Sequence, residues 1–329
     1  MDRRTFVAMT GGALLGLSPN LRGQISATTP RIGFLSAFAR ADMDVFLGLF
    51  RQELERLGWT DGRNIVVLEP RTTGGDNARL PLAAAELVAQ GPDVILVQTV
   101  PATRALMQAT KSIPIVMMGV GNPVELGIVA DFGKPGGNIT GTSYLANEFS
   151  SKLLQFLQEA VPRLRSVAVF VNPTNEHAAQ YAKRMTAEAA TLGMRAQIVN
   201  VSGQSDLETA FAAIHSANTQ SILLPAEPLI MSKRDAIASF AQTRGLPLVV
   251  QGVGRVLPAS GLMAYAPARD EYARLAVRYV DRILKGAKPG ELAIEQPMRF
   301  SLVINLRTAK SLGLTIPQTL LQRADEVIQ

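Results

Sequence analysis

Apolar residues recur along the chain in two alternating patterns. Short, continuous apolar runs, the first over residues 32–35, are typical of buried strands. Longer segments between them carry apolar residues at every third or fourth position, which predicts amphipathic helices. The first such stripe is followed by Gly58, a typical helix stop, and contains Met43, Phe46, Leu47, Phe50, Leu54 and Leu57. Alternating strand and helix patterns predict an α/β fold in which helices cover parallel sheets.

The order of predicted elements starts again halfway along the chain. In the first half, the pattern predicts strands over 32–35, 65–68, 93–98 and 115–118, and helices over 43–57, 81–89 and 102–110. In the second half, it predicts strands over 167–171, 197–201 and 222–225, and a helix over 178–192. The spacing from Ile32 to Val167 equals that from Gly58 to Gly193, which indicates an internal repeat.

Two duplicated lobes leave a cleft between them, and the carboxyl ends of the strands in both sheets face that cleft. A helix over 270–284 and a strand over 300–304 follow the repeat, so several strands are expected to connect the lobes, near residues 142, 265 and 298. We therefore predict lobe 1 over 31–142 plus 266–298, lobe 2 over 143–265 plus 299–329, and a hinge between them.

Residues 1–23 have the pattern of an export signal. Arg3 and Arg4 precede a weakly apolar stretch that ends near Leu17, and the pair resembles the twin-arginine motif. This stretch of about 12 residues is too short to cross a bilayer core of about 30 Å. Because the twin-arginine route exports folded proteins, we expect cleavage near Gly23 and a soluble periplasmic protein.

Composition restricts the chemistry further. The 33 Lys and Arg against 27 Asp and Glu give a formal charge of +6, but no run of like charges appears, so the pattern does not predict a nucleic-acid partner. The absence of cysteine excludes disulfides and thiolate metal sites. Only His177 and His215 are present, far apart in the sequence, which argues against a histidine-rich zinc site. We expect no metal and no cofactor.

Several segments carry a family resemblance. They are Ile-Gly-Phe-Leu-Ser at 32–36, Pro-Ile-Val at 114–116, Gly-Asn-Pro-Val at 121–124, Pro-Gly-Gly-Asn-Ile-Thr-Gly at 135–141, Val-Ile-Asn-Leu at 303–306 and Leu-Gly-Leu-Thr-Ile-Pro at 312–317. With them, the chain resembles the substrate-binding proteins of ABC transporters, including the tryptophan- and tyrosine-binding type. The resemblance implies a type I periplasmic-binding-protein fold: two Rossmann-like lobes joined by a multi-strand hinge. It also implies a monomer that captures a small, amino-acid-like or aromatic solute by hinge closure and delivers it to an ABC permease and its ATPase.

Candidate binding residues of lobe 1 follow its predicted strands. Ser36 follows the first strand, and residues 99–103 follow the third, where Pro101 opens a helix whose free N–H groups suit a carboxylate. This segment contributes Thr99, Ala102 and Thr103. The alternative for Ser36 and Thr99 is a helix cap without ligand contact. Asn122 follows the fourth strand, at a position that is often acidic in the family that the chain resembles.

In lobe 2, Asn172, Thr174 and Asn175 follow the strand that mirrors residues 32–35. Glu227 follows residues 222–225 and is the candidate partner of a positively charged or hydrogen-donating solute group; the alternative is a surface or helix-capping carboxylate. Phe38 and Tyr144 are candidates for apolar walls of the cleft, with ordinary packing as the alternative.

Enzyme motifs are absent. The sequence contains no phosphate-binding Gly-Lys-Ser/Thr loop, no zinc-protease or serine-hydrolase motif and no dinucleotide fingerprint. For His177 we favour an exposed position in the first turn of a helix over a position at the cleft edge. We predict a binding protein without catalytic residues. Two alternatives remain: a ligand-sensing subunit of a signalling partner, and an exported enzyme without recognised motifs.

Overall fold

Strands and helices alternate along the chain, as the hydrophobic pattern predicts. The computed structural model describes residues 29–143, 146–203, 205–252 and 257–329, so the predicted export signal and Tyr144 lie outside the described residues. The first elements are β1 (Arg31–Ser36), α1 (Arg40–Arg56), β2 (Val66–Val67), β3 (Arg71–Thr72), α2 (Leu80–Ala89), β4 (Val94–Gln98), α3 (Val100–Ala109), β5 (Ile115–Val120) and β6 (Ile139–Ser143).

The remaining elements repeat this alternation and add a C-terminal extension. They are α4 (Ala146–Ala160), β7 (Ser166–Val171), α5 (Ala178–Thr191), β8 (Arg195–Asn200), α6 (Asp206–Ser216), β9 (Ile222–Leu224), α7 (Pro228–Ser232), α8 (Arg234–Thr243), β10 (Leu248–Gln251), β11 (Met263–Pro267), α9 (Arg269–Leu284), β12 (Phe300–Asn305), α10 (Leu306–Ser311), α11 (Gln318–Leu321) and β13 (Glu326–Ile328). Short 3-10 helices occupy Asn77–Arg79 and Pro289–Glu291.

The strands form two separate sheets. The first has the order β2-β1-β4-β5-β6, with β3 also paired to β1, and all its pairings are parallel. The second has the order β13-β12-β11-β10-β9-β7-β8 and is parallel except for the antiparallel pair of β11 and β12. The predicted α/β fold with two helix-flanked parallel sheets is confirmed.

Each sheet is covered by helices on both faces, which explains why its strands are continuously apolar. On one face of the first sheet, Phe34 packs in a cluster with residues of α1 and α9; on the other, Leu35 packs with residues of α2 and α3. The second sheet has α4 and α5 on one face and α6, α7 and α8 on the other. We call the first sheet with α1, α2, α3 and α9 the first unit, and the second sheet with the other helices the second unit.

The end of α1 differs from the predicted apolar stripe at one position. Gly58 has a φ of +86° and ends the helix as predicted. Leu57, however, is 47% exposed and lies just beyond the last residue of the helix, as its C-cap. Among the described residues, every helix is too short or too polar to span a lipid bilayer.

Candidate ligand-binding site

A cavity of about 280 Å³ lies between the two units. The first unit contributes residues that end or follow β1, β4 and β5, among them Phe38, Gln98, Thr99 and Asn122. The second unit contributes residues that follow β7 and β9 and one face of α5, among them Asn172, Asn175, Tyr181, Arg184 and Glu227. Ligands of parallel α/β sheets bind beyond the carboxyl ends of strands, and this cavity lies there in both sheets. Its volume suits a small molecule.

Six of the residues singled out from the sequence line this cavity: Phe38, Thr99, Asn122, Asn172, Asn175 and Glu227. Four others do not line it: Ser36, Ala102, Thr103 and Thr174. Of these four, the first three are fully buried and the last is exposed. The segments singled out from the sequence therefore reach the cavity, but the sequence pattern does not fix which side chain of each segment faces it.

The buried polar residues next to the cavity hold its lining residues in place. The Ser36 hydroxyl donates to Gln98 Oε1 at 3.1 Å and accepts from the Phe38 N–H at 3.2 Å. The Thr103 hydroxyl donates to the Thr99 carbonyl at 2.9 Å. These hydrogen bonds hold three residues that line the cavity: Phe38, Gln98 and Thr99.

Thr99 has an unusual backbone conformation at the edge of the cavity. Its φ is +77° and its ψ is 149°, a region that only glycine occupies without strain. Its side chain caps α3 by accepting from the Ala102 N–H at 3.4 Å. Pro101 has no N–H, and the N–H groups of Ala102 and Thr103 are bonded to Thr99. The Val100 N–H is therefore the one left for a ligand at the start of α3.

Glu227 is a half-buried acid at the opposite wall. It is the N-cap of α7: Oε2 accepts from the Ile230 N–H at 2.9 Å, while Oε1 accepts from Asn172 Nδ2 at 2.9 Å. Burial raises the pKa of Glu227 above its ordinary value, although hydrogen bonds from Asn172, Asn175 and the α7 backbone favour the charged form. Glu227 is therefore both a helix-capping carboxylate and a residue that lines the cavity.

One face of α5 lines the cavity with residues that the sequence did not single out as binding residues. His177, Tyr181 and Arg184 lie at helical spacing on that face. The prediction that His177 is exposed in the first helical turn is wrong: it is the half-buried N-cap residue and lines the cavity. Tyr181 packs against the core and also reaches the cavity. The i, i+4, i+7 spacing of these three residues was the feature of the sequence from which a shared face of α5 could have been predicted.

Aromatic side chains form another part of the wall. Phe149 and Tyr265 line the cavity, with ring centroids 6.2 Å apart, and Phe300 packs behind them at 4.8 Å from Phe149. These rings come from α4, β11 and β12, which are distant in sequence. No local pattern predicts their proximity.

The two units contact each other around the cavity. Asp42 of α1 forms an ion pair with Arg234 of α8 at 3.0 Å, and Gln180 Nε2 of α5 donates to Glu125 Oε1 of the first unit at 2.9 Å. Phe38 packs against the apolar cluster of the second unit. A cavity whose polar groups come from two separate units, with contacts between the units at its rim, is an arrangement suited to binding a small molecule.

Comparison with known proteins identifies the class. Residues 41–328 match the family described as ABC transporter substrate binding protein, and the chain belongs to that family. The tyrosine-binding protein of Clostridioides difficile is 26% identical over 276 residues, which cover 80% of this chain and 75% of the relative. The predicted family is confirmed, and so is the prediction of a solute-binding protein without enzymatic function.

Two solved structures show the same fold. A conserved domain protein from Vibrio cholerae superimposes with a TM-score of 0.82 at 25% identity and covers 91% of this chain and 100% of its own. An ABC domain from Streptococcus pneumoniae in complex with L-Trp has a TM-score of 0.81 at 22% identity and covers 92% of this chain and 100% of its own. A substrate-binding protein of this family has a small molecule and an ABC transporter as its partners.

Proposed function

We propose that this protein captures a small, amino-acid-like or aromatic solute between its two units and delivers it to the permease and ATPase of an ABC importer. The observation that carries the proposal is the cavity itself, which is lined by polar residues from both units and bordered by direct contacts between them. The tyrosine-binding relative and the L-Trp complex support an aromatic amino acid as the kind of solute to test first.

Each wall has a chemical role in this proposal. Glu227, supported by Asn172 and Asn175, accepts hydrogen bonds from an ammonium or another donor of the solute. The Val100 N–H at the start of α3, next to Thr99, binds a hydrogen-bond acceptor of the solute. Phe38 and Asn122 complete the wall of the first unit. Ser36, Ala102, Thr103 and Thr174 act indirectly, by holding the neighbouring residues that line the cavity.

Closure is proposed to occur by rotation of the units about the segments that connect them. These segments follow β6, separate β11 from α9, and precede β12. Several connections restrict the motion to a hinge. We further propose that residues 1–23 direct export by the twin-arginine route and that the mature chain acts in the periplasm as a monomer.

A thermal-shift screen against amino acids, aromatic acids and small amides tests the proposal. A ligand that binds only the folded state raises the melting temperature, so at least one compound of the panel is expected to stabilise the protein. Isothermal titration then gives the affinity, and mass spectrometry of the incubated solute is expected to show it unchanged. A solute that the protein converts chemically would contradict the proposal, as would a panel without any stabilising compound.

A further inference from the structure

Arg184 differs from the other charged groups that line the cavity. It lies on the cavity face of α5, half-buried, with its guanidinium carbon 5.7 Å from the ring centre of Tyr181. Its Nε is buried and has no hydrogen-bond partner among the described residues. Burial lowers the pKa of Arg184, although Glu125 and Glu188 act in the opposite direction. The guanidinium therefore has one buried donor that no described residue satisfies.

The carboxylates that line the cavity are, by contrast, already hydrogen-bonded. Asp42 is paired with Arg234. Glu125 accepts from Gln180 at 2.9 Å and from Asn122 at 3.3 Å. Glu227 accepts from Asn172 and from the α7 backbone. Among the described residues, no ion pair to Arg184 is found within 4.0 Å, so none of these acids neutralises it.

The groups around Arg184 are suited to a single negative charge. His177, about two turns earlier at the N-cap of α5, has a buried Nε2 without a hydrogen-bond partner among the described residues; Oε1 of Glu176 is 3.5 Å away. The Tyr181 ring forms an apolar platform beside the Arg184 guanidinium. One guanidinium binds one carboxylate, whereas the field of nearby Glu125 disfavours a doubly charged group such as phosphate.

We propose that the solute carries a carboxylate that binds to the α5 face formed by Arg184, Tyr181 and His177. This inference rests on the proposed function and narrows it to carboxylate-bearing solutes. The carboxylate lies on the wall of the second unit, in addition to the polar group that faces α3. The solute therefore supplies the counter-ion that the cavity lacks for Arg184.

Matched acids and amides test this subsite on the purified full chain. The probes are L-tyrosine with L-tyrosinamide, and 4-hydroxyphenylacetate with 4-hydroxyphenylacetamide, measured by isothermal titration. We expect the wild type to bind at least one acid, and to bind it at least about tenfold more tightly than its amide. Arg184→Gln is expected to weaken binding of that acid by about 10- to 100-fold and binding of the amide by less than about threefold, since a hydrogen bond to a charged group is lost only for the acid.

Two further variants separate charge and geometry. Lys183→Gln removes a positive charge from the same helix at an exposed residue outside the cavity, and it is expected to leave both affinities unchanged. Arg184→Lys keeps the charge and is expected to retain the preference for the acid, with a loss below about tenfold. Circular dichroism confirms that each variant is folded.

The outcomes distinguish this inference from the proposed function. If Arg184→Gln keeps the acid-over-amide preference, or if the wild type binds an amide as tightly as its acid, the carboxylate subsite is overturned while capture of a solute stands. If none of the four probes binds, the subsite is overturned, and the thermal-shift panel decides separately whether the protein binds another solute.

Discussion

Thr99 has a strained backbone, which destabilises the protein, and a side chain that caps α3, which stabilises it. Its φ of +77° with ψ at 149° is a conformation that costs a non-glycine residue about 1–3 kcal/mol. Its hydroxyl caps α3, and replacing such a cap costs about 1 kcal/mol with alanine but only a few tenths with glycine. The residue is half-buried at the edge of the cavity, which is where backbone strain is commonly retained for function.

We therefore expect opposite effects from two substitutions of Thr99. Thr99→Gly relieves the strain and is expected to raise the free energy of unfolding by about 1 kcal/mol. Thr99→Ala keeps the strain and loses the cap, so it is expected to lower the free energy of unfolding by about 1 kcal/mol. Urea titration of the ligand-free protein measures both. A glycine variant that is clearly less stable than the wild type would show that the backbone is not strained.

The raised pKa of Glu227 is expected to make the stability of the protein depend on pH. Because burial raises the pKa of its carboxyl in the folded state above the ordinary value of 4.5, the folded protein binds more protons than the unfolded chain as the pH rises through that value. The free energy of unfolding therefore falls with increasing pH from about 4.5 up to the folded pKa, and the loss persists above it.

Glu227→Gln removes this titration. We expect the stability of the variant relative to the wild type to be greater at about pH 7 than at about pH 4, where the wild-type carboxyl is protonated in both states. Urea titrations of both proteins over this range give the difference. A difference that is constant with pH, or that changes in the opposite direction, would contradict the raised pKa.

At the scale of elements, the close approach of β5 and β6 depends on Gly141. This residue has a φ of +130°, and a Cβ added there would lie 2.2 Å from the carbonyl oxygen of Met117. Gly141→Ala is expected to destabilise the protein by about 3 kcal/mol or more, because backbone atoms have to move apart. Gly137 also has a positive φ, +61°, but has open space at the Cβ position.

Gly137→Ala is therefore the matched control for this strand pair. It introduces left-handed strain of about 1–2 kcal/mol without a collision. Thermal unfolding of the two variants is expected to show the larger loss for Gly141→Ala. Equal losses would mean that the contact between β5 and β6 tolerates a methyl group.

Strands and helices were predictable where the hydrophobic pattern is periodic and a residue such as glycine marks the end of the element. The strand over 32–35 and the helix that ends before Gly58 correspond to β1 and α1 within a few residues. The direction of each strand was not predictable. β11 and β12 pair antiparallel, but the apolar residues of a strand do not indicate whether its neighbour is parallel or antiparallel. The cavity-lining face of α5 was not predicted for another reason. Tyr181 contacts both the core and the cavity, so its helical spacing indicated only a residue of the apolar core.

At the scale of the whole molecule, the repeat in the sequence predicts two similar bodies but not their relative position. That position is set by contacts between side chains that are distant in sequence, such as Asp42 with Arg234. Both side chains are mostly buried, with exposed fractions of 16% and 18%, so this ion pair is less screened by water than an ordinary surface pair. The predicted lobe boundaries stay a prediction, as does the hinge motion.

Gly75 offers a direct test of closure. It belongs to the first unit and has a φ of +95°, and a Cβ added there would lie 2.9 Å from the Cα of Leu229 in α7 of the second unit. The adjacent Gly74 has a φ of +63° and nothing within 4 Å of the same position. Alanine at either residue introduces left-handed strain, but only Gly75→Ala obstructs the approach of the two units.

If binding requires closure, Gly75→Ala lowers the affinity for the solute found in the thermal-shift screen by about tenfold or more relative to Gly74→Ala, because the obstruction acts on the closed state alone. The radius of gyration from small-angle X-ray scattering with saturating solute is expected to be larger for Gly75→Ala. Both variants place alanine at a positive φ, and thermal unfolding of each measures its local strain, so a difference in affinity between the variants, corrected for stability, reports on the contact between units. Equal affinities and equal radii would show that the solute binds without bringing Gly75 against α7.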